Sequence, residues 1–384
     1  MKKYIVFILA SLILSSCVND IPRAYSVEEE LGEYAQRFFN YAKKYGYNFD
    51  EEGLIMEFSD LEGNKGGVCY INRRPLQIEI DSTYWQELSA SYLADQAKEN
   101  LVFHEMGHGF LQRKHINDVL ANEDWKSMMC GDELPNGRAS NINYRGMRKE
   151  YYIKELFTQT TEVPSWSTFV PDFSGMFQHL AFKLDINNPT LPIQKLDNFY
   201  GRVENNEYIA TSYTNNISIS TQNPINTLED FCIEAEIKII ANNEAEISNS
   251  GIFFGEPDKE LENYNMHYIS IESNQHVLIG ESRSLLPFID LFRSEYIPNE
   301  YNKIKIYKQG QFIYYFINNT FIYHNDINDL VQGGNNVGFL IYKGNTIHVK
   351  DFRVYLDKLP QREYKEMVPQ LYEIEEPSIK NREY

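Results

Sequence analysis

The sequence predicts an α+β unit followed by an all-β, two-sheet sandwich, and three observations carry this. The chain has 384 residues, enough for two or three domains at roughly 100–200 residues each. Apolar residues recur at helical spacing as far as Phe157 and alternate with polar ones beyond Asn198. Between these textures Pro164, Pro171, Pro189 and Pro192, with Asn187 and Asn188, mark a boundary region. Hydrophobic residues at 42% and charged residues at 24% exclude disorder of the whole chain. Net charge is −19, from 36 basic and 55 acidic residues. A chain this acidic, with no basic stripe, repels phosphate backbones, which excludes nucleic acid as a partner.

The elements follow in order. Lys2 and Lys3 precede an apolar run from Ile5 to Leu14, too short for a bilayer span of about 20 residues but suited to a secretory leader. Residues 18–26 read as a polar tether. Glu28 to Tyr47 is an amphipathic helix, with Leu31, Tyr34, Phe38, Tyr41 and Ala42 on one face. Leu54 to Phe58 and Leu76 to Ile80 read as strands, with Gly63, Gly66 and Gly67 in the loop between them. Ser89 to Leu111 is the strongest helix candidate; Leu93, Ala97, Leu101, His104, His108 and Leu111 form its predicted buried stripe. Arg145 to Phe157 is another helix, and a short one is expected around Met176 to Phe182. In Phe231 to Ile239 the odd positions are apolar while Glu234, Glu236 and Lys238 face water. Asn318-Asn319 marks a tight hairpin, because Asn tolerates positive φ. Further strands are expected at Tyr208–Tyr213, Ile217–Ser220, Ile252–Phe254, Tyr268–Ile271, Val277–Glu281, Lys303–Tyr307, Val337–Tyr342 and Ile347–Leu356. The expected divisions are therefore 27–160, a linker at 161–197, a sandwich at 198–358 and a tail at 359–384.

The chemistry centres on His104-Glu105-Met106-Gly107-His108, an H-E-x-x-H motif. Residues four apart on a helix lie one above the other, so both imidazoles reach one ion. Glu105 is turned about 100° from His104, beside the ion rather than on it. Zinc at such a site activates a water near neutral pH and polarises a carbonyl, and Glu105 is placed as general base. The competing reading is a pair of core histidines satisfied by hydrogen bonds. A third protein ligand is needed. His115 is one candidate, provided the helix breaks near Gln112 and the chain turns back. Glu155 is the other, with Glu150 beside it on the Arg145–Phe157 helix. Tyr144, Tyr151 and Tyr152 are either oxyanion donors or packing residues. Of the cysteines after Cys17, Cys69 and Cys130 fall in the same half of the chain and are candidates to pair; Cys232 lies apart.

Four resemblances extend this reading. Leu14-Ser15-Ser16-Cys17 resembles the bacterial lipobox. It implies cleavage before Cys17, acylation of that residue and a lipid anchor in the bacterial cell envelope, at the outer membrane on its periplasmic or surface face. The alternative is an ordinary secretory leader. The H-E-x-x-H segment resembles the metzincin clan of zinc metallopeptidases, whose longer motif is H-E-x-x-H-x-x-G-x-x-H. Here Leu111 stands at the Gly position, Lys114 at the third His position, and His115 comes one residue late. Trp125-Lys126-Ser127-Met128-Met129-Cys130-Gly131 resembles the clan's Met-turn, with Met129 as the counterpart. The clan resemblance implies an α+β zincin-type catalytic domain with Zn2+ held by His104, His108 and His115. It also implies a protein or peptide substrate added to an edge strand, for which Leu76–Asp81 is the candidate. Another zincin clan takes a downstream Glu as third ligand, which keeps Glu155 in play. Finally, Asn198 to Asp357 resembles concanavalin-like and laminin-G-like jelly-roll modules, which bind glycan or protein or brace a neighbouring domain. The two resulting readings are a membrane-anchored zinc endopeptidase and a surface lipoprotein that binds through its jelly roll, with a silent zincin domain.

Overall fold

The computed structural model describes residues 26–63, 65–89, 94–131, 142–160, 162–187, 189–221, 225–226, 229–241, 250–256, 265–272, 275–281, 289–326, 336–358 and 369–374. The leader, Cys17, nearly all of the tether and most of the tail lie outside these residues, as does Leu93. Among the described residues no helix is long and apolar enough to cross a membrane.

The first unit opens with β1 (Ser26–Val27) and α1 (Glu29–Lys44). Glu29 and Glu30 in the first turn of α1, and Lys43 and Lys44 in the last, complement the helix dipole. Gly46, at φ +86°, follows the helix. Three strands come next: β2 (Leu54–Ser59), β3 (Gly67–Tyr70) and β4 (Leu76–Asp81). The sheet order is β1-β2-β4-β3, with β3 antiparallel to its parallel companions. Leu76–Asp81 is therefore an inner strand; the sheet's edges are β1 and, next to Leu76–Asp81, β3. Four residues that begin with Gly67 and follow Gly63 and Gly66 are too short to show alternation, so the sequence reads them as loop.

The helix expected over 89–111 is α3 (Ala94–Phe110) within the described residues, and α2 (Ser82–Ser89), which the sequence does not predict, precedes it. Asp81 starts α2 by accepting the Tyr84 amide at 2.7 Å. On α3 the buried residues are Glu99, Val102, Phe103, Glu105, Met106 and Gly107. The expected stripe is thus displaced by about one position, and His104 and His108 are only half-buried at its margin. Helix α4 (Gly146–Thr158) buries Tyr152, Leu156 and Phe157; Phe157 meets Phe38 of α1 and Leu156 lies against Gly107 of α3.

The second unit contains β5 (His179–Lys183), β6 (Phe199–Glu204), β7 (Glu207–Ser212), β8 (Asn216–Thr221), β9 (Phe231–Ala241), β10 (Ser250–Glu256) and β11 (Asn265–Ile271). It continues with β12 (His276–Glu281), β13 (Ile289–Phe292), β14 (Asn302–Gln309), β15 (Phe312–Ile317), β16 (Thr320–Asp326), β17 (Asn336–Ile341), β18 (Asn345–Leu356) and β19 (Pro369–Ile374). They form a jelly-roll sandwich of two antiparallel sheets, β13-β12-β11-β10-β17-β8-β19 and β16-β15-β14-β9-β18-β7-β6, with β5 added to β18. Its core is separate from that of the first unit and is filled by the inward residues of both sheets, among them Ile233, Ile237, Phe339 and Phe352.

Asn318 and Asn319 have φ of 49° and 66°, the turn expected between β15 and β16. Asn205 and Asn206 make the same turn between β6 and β7. Two expectations fail here. No helix forms at Met176–Phe182, whose last residues belong to β5; β5 pairs with β18 and its Phe182 joins the sandwich core. Within the expected tail, Pro369–Ile374 is strand β19, paired with β8.

Candidate metal centre

Helix α3 brings His104 and His108 to one side, one turn apart. It stops two residues past His108, where Gln112 adopts the left-handed conformation at φ 53° and the Arg113 amide donates to the Gly107 carbonyl at 3.0 Å. That bond reaches back six positions, one more than the six-to-one bond of a Schellman motif, and closes the helix end where the left-handed residue turns the chain. The clan's motif places glycine at the position of Leu111. Here the left-handed residue is Gln112, one position later, and the histidine that follows is one position later too. The chain turns back, and His115 comes to face the helix.

The three Nε2 atoms converge. His104 and His108 are 3.1 Å apart, His108 and His115 3.1 Å, and His104 and His115 3.3 Å. Among the described residues these are the three His, Cys, Asp or Glu side chains grouped closely enough to share an ion. The tautomers of two rings are fixed. His104 Nδ1 lies 2.8 Å from the Met128 carbonyl and His108 Nδ1 2.7 Å from the Arg113 carbonyl. A carbonyl only accepts, so both Nδ1 atoms carry the proton, and in the neutral ring Nε2 is a bare lone pair. Bare lone pairs at 3.1 Å repel unless a cation sits between them. Tetrahedral zinc with Zn–N of about 2.0–2.1 Å sets its nitrogens about 3.3 Å apart. Protonation is the poorer remedy, because burial and the neighbouring His108 push His104 down to about 3. Burial also lowers His108. The donor set, its spacing and its fixed tautomers fit zinc.

Glu155 is not a ligand in this arrangement. Its buried carboxylate pairs with Arg113 through Oε1 and accepts the Ser127 hydroxyl through Oε2 at 2.6 Å. Arg113 also donates to the Glu155 and Leu156 carbonyls at 2.9 and 2.6 Å. The Ser127 hydroxyl in turn accepts the Met129 amide at 3.1 Å. Glu155 therefore holds both segments whose carbonyls orient the two helical histidines. Glu150 lies one turn earlier on α4 and shows no contact with the histidines.

Glycines make the room. A Cβ on Gly107 would lie 2.9 Å from the Met129 sulfur, so Met129 packs directly beneath the helix between the two histidines. A Cβ on Gly131 would lie 2.1 Å from His115 Nδ1. A Cβ on Gly67 would lie 2.8 Å from Glu105 Cγ and 3.0 Å from its Oε1, which sets the Glu105 carboxylate against the start of edge strand β3. Sequence reading missed Arg113, and took Gly67 only as a loop residue and Ser127 and Gly131 only as parts of the Met-turn resemblance.

The tyrosines are packing residues. Tyr144 donates to Glu99 at 2.9 Å, Tyr151 to the Lys126 carbonyl at 2.8 Å and Tyr152 to the Trp125 carbonyl at 2.7 Å. None of Cys69, Cys130 and Cys232 is in a disulfide, so the possible Cys69–Cys130 pair does not form. Burial, with the charge of Glu105 adding to it, raises the Cys69 thiol to about 12.

No protein-family model matches this sequence, and no curated protein matches it. Solved structures do resemble the sandwich. The carbohydrate recognition domain of Emp47p aligns at 12% identity and TM-score 0.35, over 49% of this chain and 100% of that domain. The endo-β-1,3-glucanase of Pyrococcus furiosus aligns at 12% identity and TM-score 0.31, over 42% and 78%. The carbohydrate-binding module CBM66 of Bacillus subtilis aligns at 12% and TM-score 0.24, over 38% and 81%. Likeness this remote says nothing of activity.

Proposed function

We propose that this chain is a zinc-dependent peptidase, anchored through Cys17 to the bacterial envelope. The observation that carries the reading is the trio of imidazole nitrogens within 3.3 Å of one another, two of them with Nδ1 committed to backbone carbonyls. Zinc held by His104, His108 and His115 would supply an activated water and a polarised carbonyl. Glu105 takes the proton of the attacking water and hands it to the leaving amine. Strand β3, rather than Leu76–Asp81, offers the free sheet edge on which an extended peptide adds by main-chain hydrogen bonds. Met129 supports the helix from below, and Glu155 fixes the two carbonyls.

The test is metal content together with cleavage of a casein-type substrate. The purified protein should hold one zinc per chain. Glu105→Ala should keep that zinc and lose about 10²–10⁴-fold in turnover. Zinc bound without Glu105-dependent cleavage would end the peptidase reading.

A second reading is a surface lipoprotein that binds glycan through its jelly roll. The three solved structures named above are sugar-recognition or glucanase domains and none is a peptidase, so the comparisons stand nearer to this reading. Titration of the full chain with β-1,3-glucan oligosaccharides tests it.

A further inference from the structure

Between His115 and the Met-turn the chain forms a hairpin. The Ile116 amide donates to the Met129 carbonyl at 2.8 Å, the Lys126 amide to Asp118 at 2.9 Å and the Leu120 amide to Asp124 at 2.8 Å. Val119 and Trp125 bridge across it. His115 and Met128, whose carbonyl orients His104, both lie next to the first of these bonds. Both feet of the hairpin therefore belong to the metal centre.

Its tip belongs to the sandwich. Asp124 is 2% exposed; its Oδ1 accepts the Tyr323 hydroxyl at 2.9 Å, and its Oδ2 accepts Arg148 Nε at 2.9 Å. Glu123, in the left-handed conformation at φ 65°, pairs with Arg293 at 2.8 Å. Tyr323 sits on β16, the edge strand of its sheet. That edge is closed in return: Arg148 Nη2 donates to the His324 carbonyl at 2.9 Å, and Asn143 bridges the Tyr323 hydroxyl and Asn325, each at 3.0 Å. An edge strand left open is a site of unwanted pairing, and covering it with another element removes that exposure.

We propose that the sandwich is a built-in part of the metal centre: Tyr323 and Arg293 are positioning residues that, by gripping the tip of the 116–129 hairpin, set His115 and the Met128 carbonyl at its feet. The inference rests on the zinc reading above. Ligand geometry of this kind is governed by outer-shell contacts, whose loss costs about 10–100-fold in metal affinity. Tyr323 and Arg293 stand one layer further out, so the lower end applies.

The experiment uses the full chain and two variants. Tyr323→Phe keeps the ring and removes only the hydroxyl; Arg293→Ala cuts the more exposed pair and leaves the buried one intact. Zinc affinity is read by competition with a chromophoric chelator, and ligand geometry by the visible absorption of the Co2+-substituted protein. Ile347→Val, in the sandwich core on β18, serves as control. The expected result is about a tenfold loss of zinc affinity in Tyr323→Phe, a smaller loss in Arg293→Ala, and a changed Co2+ spectrum in both, with the control unchanged. Unaltered affinity and spectra in both variants, or an equal loss in Ile347→Val, would overturn the inference while leaving the zinc reading standing. A wild-type chain that takes up neither Zn2+ nor Co2+ would remove both.

Discussion

Replacing Glu155 by Ala and, separately, His115 by Ala divides ligand from support. The Glu155 side chain is 5% exposed and that of Arg113 4%. Removing the carboxylate leaves a buried guanidinium with only the two carbonyl acceptors of α4 and frees Ser127 from its partner. Breaking a buried pair in this way costs about 3–5 kcal/mol. The Arg113 and Met128 carbonyls then lose their fixed positions, so metal affinity falls by about 10–100-fold as for other outer-shell losses. His115 is exposed, and its replacement touches no buried charge. Its stability cost in the metal-free chain should stay within about 0.5 kcal/mol, while a donor atom of the site disappears. Urea unfolding of the metal-free proteins gives the first quantity and chelator competition the second. The predicted pattern is crossed: Glu155→Ala is much less stable and binds zinc weakly, whereas His115→Ala is as stable as the parent and retains no stoichiometric zinc. If His115→Ala keeps its zinc and Glu155→Ala loses it with little change in stability, Glu155 is the ligand and the clamp is refuted.

Three further outcomes follow from the same geometry. Gly131→Ala places a methyl within 2.1 Å of His115 Nδ1; because that ring is exposed it swings away, so zinc affinity should drop by at least about tenfold with the unfolding midpoint nearly unmoved. Gly67→Ala pushes on Glu105 instead of on a ligand, and should lower peptide turnover by about 10²-fold while metal analysis still finds one zinc per chain. Burial, with Arg148 adding to it, pushes His324 down to about 3. The unfolded chain takes a proton there below about pH 6.5 that the folded chain refuses, so this contribution is complete above 6.5 and is lost as pH falls toward 3. By pH 5 the loss is about 2 kcal/mol, and urea titrations at both pH values should show His324→Gln flattening that slope.

The pattern residues were legible and the long-range partners were not. Alternation in Phe231–Ile239, helical spacing in Glu28–Tyr47 and the four-residue spacing of His104 and His108 each reflect a local repeat, and local repeats are written in consecutive residues. Strand β3 escaped because four residues, the first of them a glycine with two more glycines shortly before it, carry no period. Glu155 read equally well as ligand or as surface, since only its meeting with Arg113 and Ser127 decides the matter, and those lie 42 and 28 positions away. His115 read as a late third histidine, yet the physical reason, a left-handed Gln112, is visible only in the backbone. The grip of Tyr323 on Asp124 spans 199 positions, and no pattern within either segment announces it.

Strand β18 has practical weight for anyone dividing this protein. Its first half is bordered by β7 and its second half by β5, and β5 comes from the stretch that reads as a linker. A fragment begun at Asn198 would discard that border along with Phe182, Leu184 and Leu191, all of them core residues. It would uncover hydrogen-bonding groups in the middle of a sheet and invite self-association. Expression fragments of the β half should begin upstream of His179, and a soluble product that starts there but not at 198 would show that the stretch belongs to the sandwich's own folding unit.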